Sequence, residues 1–251
     1  MRVLIIFNNF NLKFHKVGKN LDKNCGRSFA TQQGINLARG LWCLFVRSNE
    51  SVSPGLILEF KKAIISNSAL AYMGVVKYKS KDKKFEKYLN NPKRGVRLYQ
   101  CGDKIHYKFL LFNNSIIKRD ICNKIKLNLC LTHYGGEELD FASKLNSLYP
   151  NQICACPDAV VYRKNYPDLT AHCKRLEEFG FINFKRLQKN LQLDIIRFHF
   201  LLNTFIFFRV SVFIVHCVSR FLISIIPKAP AYALVRIRLL SAILRGYYRI
   251  S

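Results

Sequence analysis

The stretch that decides the fold is Leu41-Trp42-Cys43-Leu44-Phe45-Val46-Arg47-Ser48-Asn49-Glu50-Ser51-Val52-Ser53-Pro54. Its first six residues form a continuous apolar run of strand length, which is typical of a strand buried on both faces of a parallel sheet. The polar residues that follow predict a loop. Ser53-Pro54 predicts the N-cap and first residue of a helix that extends to about Ile65. The stretch therefore predicts a strand–loop–helix unit of an α/β fold.

Further strand and helix patterns flank this unit on both sides. Apolar runs predict strands at residues 3–8, 69–78, 105–112 and 159–162. A helix is also predicted from Leu169 to about Leu191, with a break near Gly180. Because strands alternate with helices along the chain, we expect an α/β sheet that is mainly parallel.

Two more helices carry specific expectations. Gly135-Gly136 is expected to open a helix whose first turn holds Glu137 and Glu138, where carboxylates interact favourably with the helix dipole. Ser28 is expected to cap an earlier helix that ends at Gly40. The buried stripe of that earlier helix is predicted from helical spacing to be Ala30, Gly34, Leu37, Ala38 and Leu41.

The charge of the chain predicts an anionic partner. Its 251 residues include 41 Lys and Arg against 15 Asp and Glu, a formal net charge of +26. The 20 Phe and 12 Tyr exclude a disordered basic tail. An acidic membrane surface, a phosphorylated small molecule and nucleic acid all suit this charge. Nucleic acid is the least favoured, because no zinc finger, helix-turn-helix or RNP-like signature is present.

Part of this charge lies in residues 77–97, where nine basic residues face only Asp82 and Glu86. Such a run predicts a solvated loop or a rim that faces phosphates. The nine cysteines of the chain indicate reduced thiols in a cytosolic protein, since their number is odd and no C-x-x-C occurs. A metal site formed by Cys154, Cys156 and His172 is a weaker alternative, because the spacing does not match a zinc finger.

The segment after Asp194 contains no acidic residue. Residues 198–227 are almost entirely apolar but are interrupted by Arg209 and Arg220, and residues 233–248 repeat this pattern with three further arginines. An arginine at the centre of a membrane span costs about 2.5–3.5 kcal/mol on insertion scales, whereas an interfacial helix places arginine near lipid phosphates. We therefore expect attachment to a membrane surface. The alternatives are a real span and packing against the protein's own core or a partner.

These patterns predict two parts of the chain. Residues 1–190 would form the α/β domain, and residues 191–251 would form a hydrophobic and basic membrane-associating helical tail. The protein would then be cytoplasmic and peripherally associated with the inner face of the membrane.

Four stretches in the order 24–40, 44–54, 113–119 and 134–141 carry a resemblance to a known family. They are similar to a helix motif N-x-G-x-x-x-A-x-N-x-G-I-x-x-A-x-G, a strand and loop with Asp-x-Asp, an N-x-x-x-x-R-R element, and a Gly-Gly-Glu-Asp helix start. Together they resemble the family 2 glycosyltransferases. This resemblance implies a Rossmann-like GT-A nucleotide-diphospho-sugar transferase fold. The final residues 245–249 also resemble the basic-aromatic tail of some bacterial members.

The resemblance implies transfer of a sugar from a nucleotide-sugar donor to a lipid-linked or polysaccharide acceptor of the cell envelope. It implies that Glu138, with Glu137 beside it, is the general base that removes the proton of the acceptor hydroxyl. It assigns donor contacts and acceptor contacts to further positions. Donor binding falls on Asn8, Arg27, Gln33, Arg47, Asn49 and Arg163, and acceptor binding falls on Asn114 and Arg119.

Several positions depart from the family's pattern. Arg47-Ser48-Asn49 stands where the family has Asp-x-Asp, so the Mg²⁺ or Mn²⁺ expected for the family lacks its ligands and Glu50 is only a weak substitute. Arg163 stands where many members carry a histidine. Residues 3–8 resemble the family's second strand, which implies that the first strand is missing.

These departures leave two interpretations. In the first, Arg47 and Arg163 replace the metal, because arginine pairs bidentately with diphosphate oxygens, and the chain is a metal-independent transferase. In the second, the chain is a shortened copy with weak or lost activity that serves as a non-catalytic scaffold or binding protein on the same fold.

Overall fold

The computed structural model of the chain describes residues 2–8, 13–17, 26–197, 199–202, 206–225 and 232–249, the first two ranges by their backbone alone. Within these residues the strands are β1 (Arg2–Asn8), β2 (Lys13–Val17), β3 (Trp42–Arg47), β4 (Glu50–Val52), β5 (Ala71–Ser80), β6 (Ser115–Lys118) and β7 (Ile153–Tyr166). The helices are α1 (Gly26–Leu37), α2 (Leu56–Ser66), α3 (Lys83–Leu89), α4 (Arg119–Lys124), α5 (Glu137–Leu148), α6 (Leu169–Phe181), α7 (Asn183–Arg186), α8 (Lys189–Ile196), α9 (Ile206–Ile225) and α10 (Tyr232–Tyr248). Short 3-10 turns span Gly95–Leu98, Tyr107–Phe109 and His199–Leu202.

The chain folds as two compact units. The first spans Met1–Lys79, Pro92–Thr132 and Glu137–Lys164, and the second spans Ser80–Asn91, His133–Gly136 and Asn165–Ser251. The second unit therefore includes α3 and α6, which precede the helical tail that the sequence predicts from residue 191 onward.

The described strands form one seven-stranded sheet in the order β2-β1-β3-β6-β5-β7-β4. The pairs β1–β2, β1–β3, β3–β6, β5–β6 and β4–β7 are antiparallel. The expectation of a mainly parallel sheet is therefore wrong for these five pairs. Alternation of strands and helices does not by itself fix strand direction, because antiparallel neighbours need no crossover helix between them.

β3 is buried on both faces of the sheet, as its continuous apolar run predicts. On one face, Leu44 and Val46 belong to a core that also contains Phe60 of α2. On the other face, the ring of Phe45 stacks on Phe112 with centroids 4.5 Å apart, and Phe112 meets Phe141 of α5 edge-on at 5.4 Å. These aromatic contacts fix the position of α5 relative to β3.

Two predictions about the first unit are wrong in detail. Ser28 is not an N-cap: α1 begins at Gly26, and the Ser28 hydroxyl donates to the Leu131 carbonyl at 3.0 Å. The buried face of α1 is mostly polar, so an apolar stripe does not mark it. Its buried residues are Ser28, Thr31, Gln32 and Ile35. Two boundaries also differ, because α2 begins at Leu56 and the strand expected at 105–112 is a 3-10 turn that precedes β6.

Residues 77–97 do not form a solvated loop, because they contain α3 in the second unit. Asp82 caps this helix by accepting a hydrogen bond from the Phe85 amide at 3.0 Å. Phe85, Tyr88 and Leu89 are buried at helical spacing, whereas Lys83 and Lys87 are exposed. Three of the nine basic residues of this run, Lys83, Lys84 and Lys87, therefore lie on a helix.

Helix α10 packs closely on α6 within the second unit. A Cβ atom on Gly180 would overlap the Ile243 carbonyl oxygen, and one on Gly246 would overlap the Glu177 carbonyl oxygen, so both positions require glycine. The break predicted near Gly180 falls at Ile182, between α6 and α7. α10 buries Val235 and Ile243 among others, so residues 233–248 pack against the protein itself, which was the alternative to membrane attachment.

Helix α9 has a different character. Residues Phe207–Ile225 are long and apolar enough to cross a membrane, with a mean hydropathy of 1.7 and only 17% of the window buried. No other described helix meets the same criterion of length and composition.

Candidate functional site

Three of the stretches that carry the family resemblance meet in the first unit. Arg27 lies in the first turn of α1, Arg47 is the last residue of β3, and Glu137 and Glu138 open α5. Gly135 and Gly136 precede α5 with φ values of +84° and +93°, a conformation that glycine adopts without strain. This turn is why α5 begins at Glu137, as its sequence predicts. We refer to Arg27, Arg47, Glu137 and Glu138 as the Arg/Glu cluster.

Ion pairs join the four side chains of the Arg/Glu cluster. Arg27 Nε lies 3.1 Å from Glu137 Oε1, and Arg27 Nη2 lies 3.4 Å from Glu138 Oε1. Arg47 Nη2 lies 3.2 Å from the same Glu138 oxygen. Glu138 is 91 residues from Arg47 and 111 residues from Arg27 in the sequence, so the fold alone brings these groups together.

The two charge types differ in their burial. The Glu137 side chain is fully buried and that of Glu138 is 9% exposed, whereas the side chains of Arg47 and Arg27 are 16% and 28% exposed. Two guanidinium groups offset the cost of burying two carboxylates. An anion that approaches from solvent therefore meets the arginines before the glutamates.

The turn after β3 positions Glu50. The Arg47 backbone N–H donates to Glu50 Oε2 at 2.9 Å, and this bond closes the turn between β3 and β4. Glu50 also stands opposite Arg163 in the antiparallel pairing of β4 with β7. Asn49 is exposed at the tip of this turn.

These residues do not fit the Mg²⁺ or Mn²⁺ that the family resemblance implies. Arg47 is a cation, and one Glu50 oxygen accepts a bond from the chain's own backbone. Across the part of the chain that the structure describes, no three or more His, Cys, Asp or Glu side chains group closely enough to hold a metal ion. A divalent cation of this kind takes six or more oxygen ligands, and this donor set does not supply them.

The proposed acceptor-binding residues serve the fold. Asn114 is fully buried, and its Nδ2 donates to the carbonyl oxygens of Val75 at 2.9 Å and Ala159 at 2.7 Å. Arg119 donates from Nη1 to the Arg39 carbonyl at 2.9 Å and holds the chain that follows α1. These contacts commit the Asn114 amide to the sheet and Arg119 to a loop.

Two proposed donor-binding residues, Gln33 and Asn8, take no part in the ion pairs described for the Arg/Glu cluster. Gln33 is partly buried on α1, whereas its neighbour Gln32 makes the tertiary bond there, accepting from the Leu127 N–H at 3.0 Å. Asn8 is the last residue of β1, and its side chain lies outside the described residues.

The cysteines follow the prediction of reduced thiols. The eight in the described ranges are free, and Cys25 lies outside those ranges. Burial raises the pKa of the Cys154 and Cys156 thiols, which favours the uncharged form. The alternative of a metal site at these residues and His172 has no support in the part of the chain described here.

Comparison with known proteins gives remote structural likenesses. No family model and no curated protein matches the chain. The crystal structure of S. aureus TarS 1–349 is 14% identical, with a TM-score of 0.44 over 92% of this chain and 73% of that one. Its complex with UDP-GlcNAc is 14% identical, with a TM-score of 0.45 over 92% and 74%.

A mycobacterial protein is 13% identical over 65% of this chain, with a TM-score of 0.40. The chain spans only 51% of the length of that protein. At these TM-scores and identities, the likenesses establish neither a fold nor an activity for this chain.

Proposed function

We propose that the Arg/Glu cluster is the donor site of a nucleotide-sugar glycosyltransferase that works without a bound metal. One observation carries the proposal: residues from three separate family-like stretches meet within 3.1–3.4 Å of one another. The resemblance of the sequence motifs implied donor contacts at Arg27 and Arg47 and the general base at Glu138. The proposed acceptor is a lipid-linked or polysaccharide hydroxyl.

In this proposal the arginines bind the diphosphate. Guanidinium groups pair bidentately with phosphate oxygens and stay charged at any physiological pH. Arg47 and Arg27 are the more exposed members of the cluster, so a ligand that arrives from solvent reaches them before the glutamates. Their positive charge takes the place of the divalent cation in stabilising the departing nucleoside diphosphate.

Glu138 then acts as the general base. Before the donor binds, its Oε1 atom is shared by Arg27 and Arg47. A diphosphate that pairs with these guanidiniums releases that oxygen, which accepts the proton of the acceptor hydroxyl. The acceptor oxygen forms a bond to the anomeric carbon as the bond from that carbon to the phosphate oxygen breaks. The electron pair leaves with the nucleoside diphosphate.

A second candidate is a non-catalytic scaffold or binding protein on the same fold. The observation that favours it is the ion pairing within the Arg/Glu cluster: every member is ion-paired with another member, and Glu137 is fully buried. Such an arrangement suits a structural ion-pair cluster that links α1, β3 and α5.

Nucleoside diphosphate release from a panel of nucleotide sugars, in the presence of a chelator, separates the two candidates. Catalysis predicts release that falls about 10²–10⁴-fold in Glu138→Gln, since general bases contribute this much to rates. Asp140→Asn is the matched control, because Asp140 lies in the same helical turn but pairs with Lys144 at 2.7 Å. Absence of release from every donor, or an equal loss in the control, would favour the scaffold.

A further inference from the structure

A second group of cations lines a pocket in the second unit. The pocket has a volume of about 350 Å³ and is lined by Glu177, Arg209, Arg245, Gly246, Tyr248 and Arg249. We refer to it as the arginine pocket. Glu177 is the single carboxylate among these lining residues, and its Oε1 lies 3.2 Å from Arg245 Nη1. Three guanidiniums against one carboxylate leave the pocket with a net positive charge.

Two hydrogen bonds hold side chains at the arginine pocket. Lys185 donates from Nζ to the Arg249 carbonyl oxygen at 3.0 Å, at the edge of the arginine pocket. Burial and the positive charge of Arg209 lower the pKa of Lys185. Arg209 itself donates to the Tyr248 carbonyl at 2.7 Å, which fixes its guanidinium at the pocket wall. The pocket is thus a preformed site for an anion.

Helix α9, which contributes Arg209, is apolar on the side that faces solvent. Six residues at helical spacing form this apolar stripe, each 49–71% exposed: Phe207, Val210, Ile214, Val218, Phe221 and Ile225. The opposite side of α9 buries Val212 together with two polar side chains, His216 and Ser219. A surface helix in water has the reverse arrangement, with its apolar face inward. The apolar stripe therefore needs an apolar environment outside the protein.

The arginine pocket and the apolar side of α9 adjoin each other. Arg245 lies over the ring of Phe213 on α9, with Cζ 5.5 Å from the ring centroid. Phe213 is itself 55% exposed, so the pocket wall continues into apolar surface. Arg220 is exposed on the same helix, and no acidic residue follows Asp194 in the sequence. An apolar surface bordered by cations is complementary to an anionic lipid surface.

We propose that the arginine pocket binds the phosphate of an anionic phospholipid headgroup while the apolar stripe of α9 enters the membrane interface beside it. The inference does not depend on catalysis by the Arg/Glu cluster, because vesicle binding is measured without a sugar donor. It assigns a role to arginines that the glycosyltransferase proposal does not use.

The test is sedimentation of the full chain with phosphatidylcholine vesicles, with or without added phosphatidylglycerol. We expect binding that depends on phosphatidylglycerol and falls at least tenfold in Ile214→Glu. The matched control is Ile65→Glu, because Ile65 is equally apolar and 62% exposed on α2 of the other unit. Equal binding to both vesicle types, or an equal loss in the control, would overturn the proposal.

Three further variants distinguish binding in the arginine pocket from attraction by diffuse surface charge. Removing one surface cation weakens binding to an anionic membrane about fivefold. We expect this loss in Arg236→Gln, because Arg236 is exposed. We expect Arg249→Gln to lose at least about twentyfold. Glu177→Gln, which removes the carboxylate of the pocket, should strengthen binding. Equal losses in the two arginine variants, or no gain in Glu177→Gln, would contradict a phosphate site.

Ligands other than a phospholipid, at the apolar stripe or in the arginine pocket, would give different results. A second copy of the chain on the apolar stripe would make the wild type a dimer and Ile214→Glu a monomer, with no vesicle binding by either. If the arginine pocket were a site for free phosphate, inorganic phosphate at millimolar concentration would compete with vesicles and would bind as tightly as glycerol phosphate does. Either outcome would overturn the assignment to a phospholipid.

Discussion

The Arg/Glu cluster and the arginine pocket use the same residue types in different proportions. In the cluster, two arginines meet two glutamates, and both carboxylates are nearly or fully buried. In the pocket, three arginines line the wall together with one carboxylate, Glu177, which pairs with Arg245 and whose side chain is 30% exposed. The first group is balanced and closed, whereas the second carries excess positive charge and is open. Whether a group of arginines forms internal ion pairs or is available to bind an anion thus depends on the number of carboxylates beside it, and not on the net charge of +26.

The Arg/Glu cluster and the arginine pocket would also bind their ligands in different ways. A balanced cluster binds a diphosphate only by exchange, because the ligand must replace a carboxylate that the arginines already hold. An unbalanced pocket binds a phosphate without displacing the only carboxylate present. Substitution of the carboxylate should therefore cost more stability in the Arg/Glu cluster than in the arginine pocket.

The largest effect is expected where the pocket depends on close helix packing. In Gly180→Ala the new Cβ atom meets the backbone of α10, so α6 and α10 must separate and the free energy of unfolding should fall by more than about 3 kcal/mol. Gly55→Ala is the control, since no atom lies within 4 Å of a Cβ there, and should cost about 1 kcal/mol or less. Thermal and denaturant unfolding measure both. A mild effect at Gly180 would show that the helices do not cross as described.

The next prediction compares the two carboxylates directly. Glu137→Gln leaves the Arg27 guanidinium without its buried carboxylate and should cost about 2 kcal/mol of stability, because removing one partner of a buried pair is destabilising. Glu177→Gln removes a partly exposed partner of Arg245 and should cost less than about 1 kcal/mol. Denaturant unfolding of the two variants tests this order. Equal costs would remove the distinction between closed and open groups.

The pH dependence tests the positive surroundings of α9. Burial, reinforced by the charges of Arg245, Arg238 and Arg220, lowers the pKa of His216 to about 4. Its Nδ1 meets the Ser241 hydroxyl at 3.0 Å, and its Nε2 lies 3.8 Å from Glu177. Since the unfolded histidine has a pKa near 6.5, the unfolded chain takes up the proton first as the pH falls. His216 should therefore remove about 2 kcal/mol of stability between pH 7.5 and pH 5.

His216→Asn should lose this component of the pH dependence, whereas a substitution of the exposed His106 should keep it. Stability measured by urea unfolding across this pH range provides the check. An unchanged slope in His216→Asn would mean that the imidazole is not held neutral.

The sequence predicted those parts of the fold in which one local signal dominates. The apolar run of β3 predicted burial on both faces, and Gly135-Gly136 predicted the start of α5. The meeting of Arg47 with Glu138 followed from a resemblance, since no local pattern links residues that far apart. The antiparallel direction of the strands is a tertiary property that alternation of elements does not encode.

Other features were hidden by competing signals. The lysines of residues 77–97 obscured the helical spacing of Phe85, Tyr88 and Leu89, and Asp82 as a cap was the signal that could have revealed α3. The buried face of α1 is polar, so hydropathy could not identify it. The arginine pocket joins Glu177 with Arg209 and Arg249 from separate helices and the chain after α10, and only their packing brings these side chains together.

The most direct test of the central claim is the affinity of the chain for a nucleoside diphosphate, measured by titration calorimetry in the presence of a chelator. If the Arg/Glu cluster binds by exchange, Arg47→Gln should weaken binding about tenfold or more, because hydrogen bonds to charged groups contribute about 1.5–3 kcal/mol. Arg39→Gln, at an exposed arginine outside the cluster, should leave the affinity unchanged. Glu138→Gln should bind the diphosphate more tightly than the wild type while losing turnover. Equal affinities in wild type and Arg47→Gln, or weaker binding in Glu138→Gln, would contradict the account.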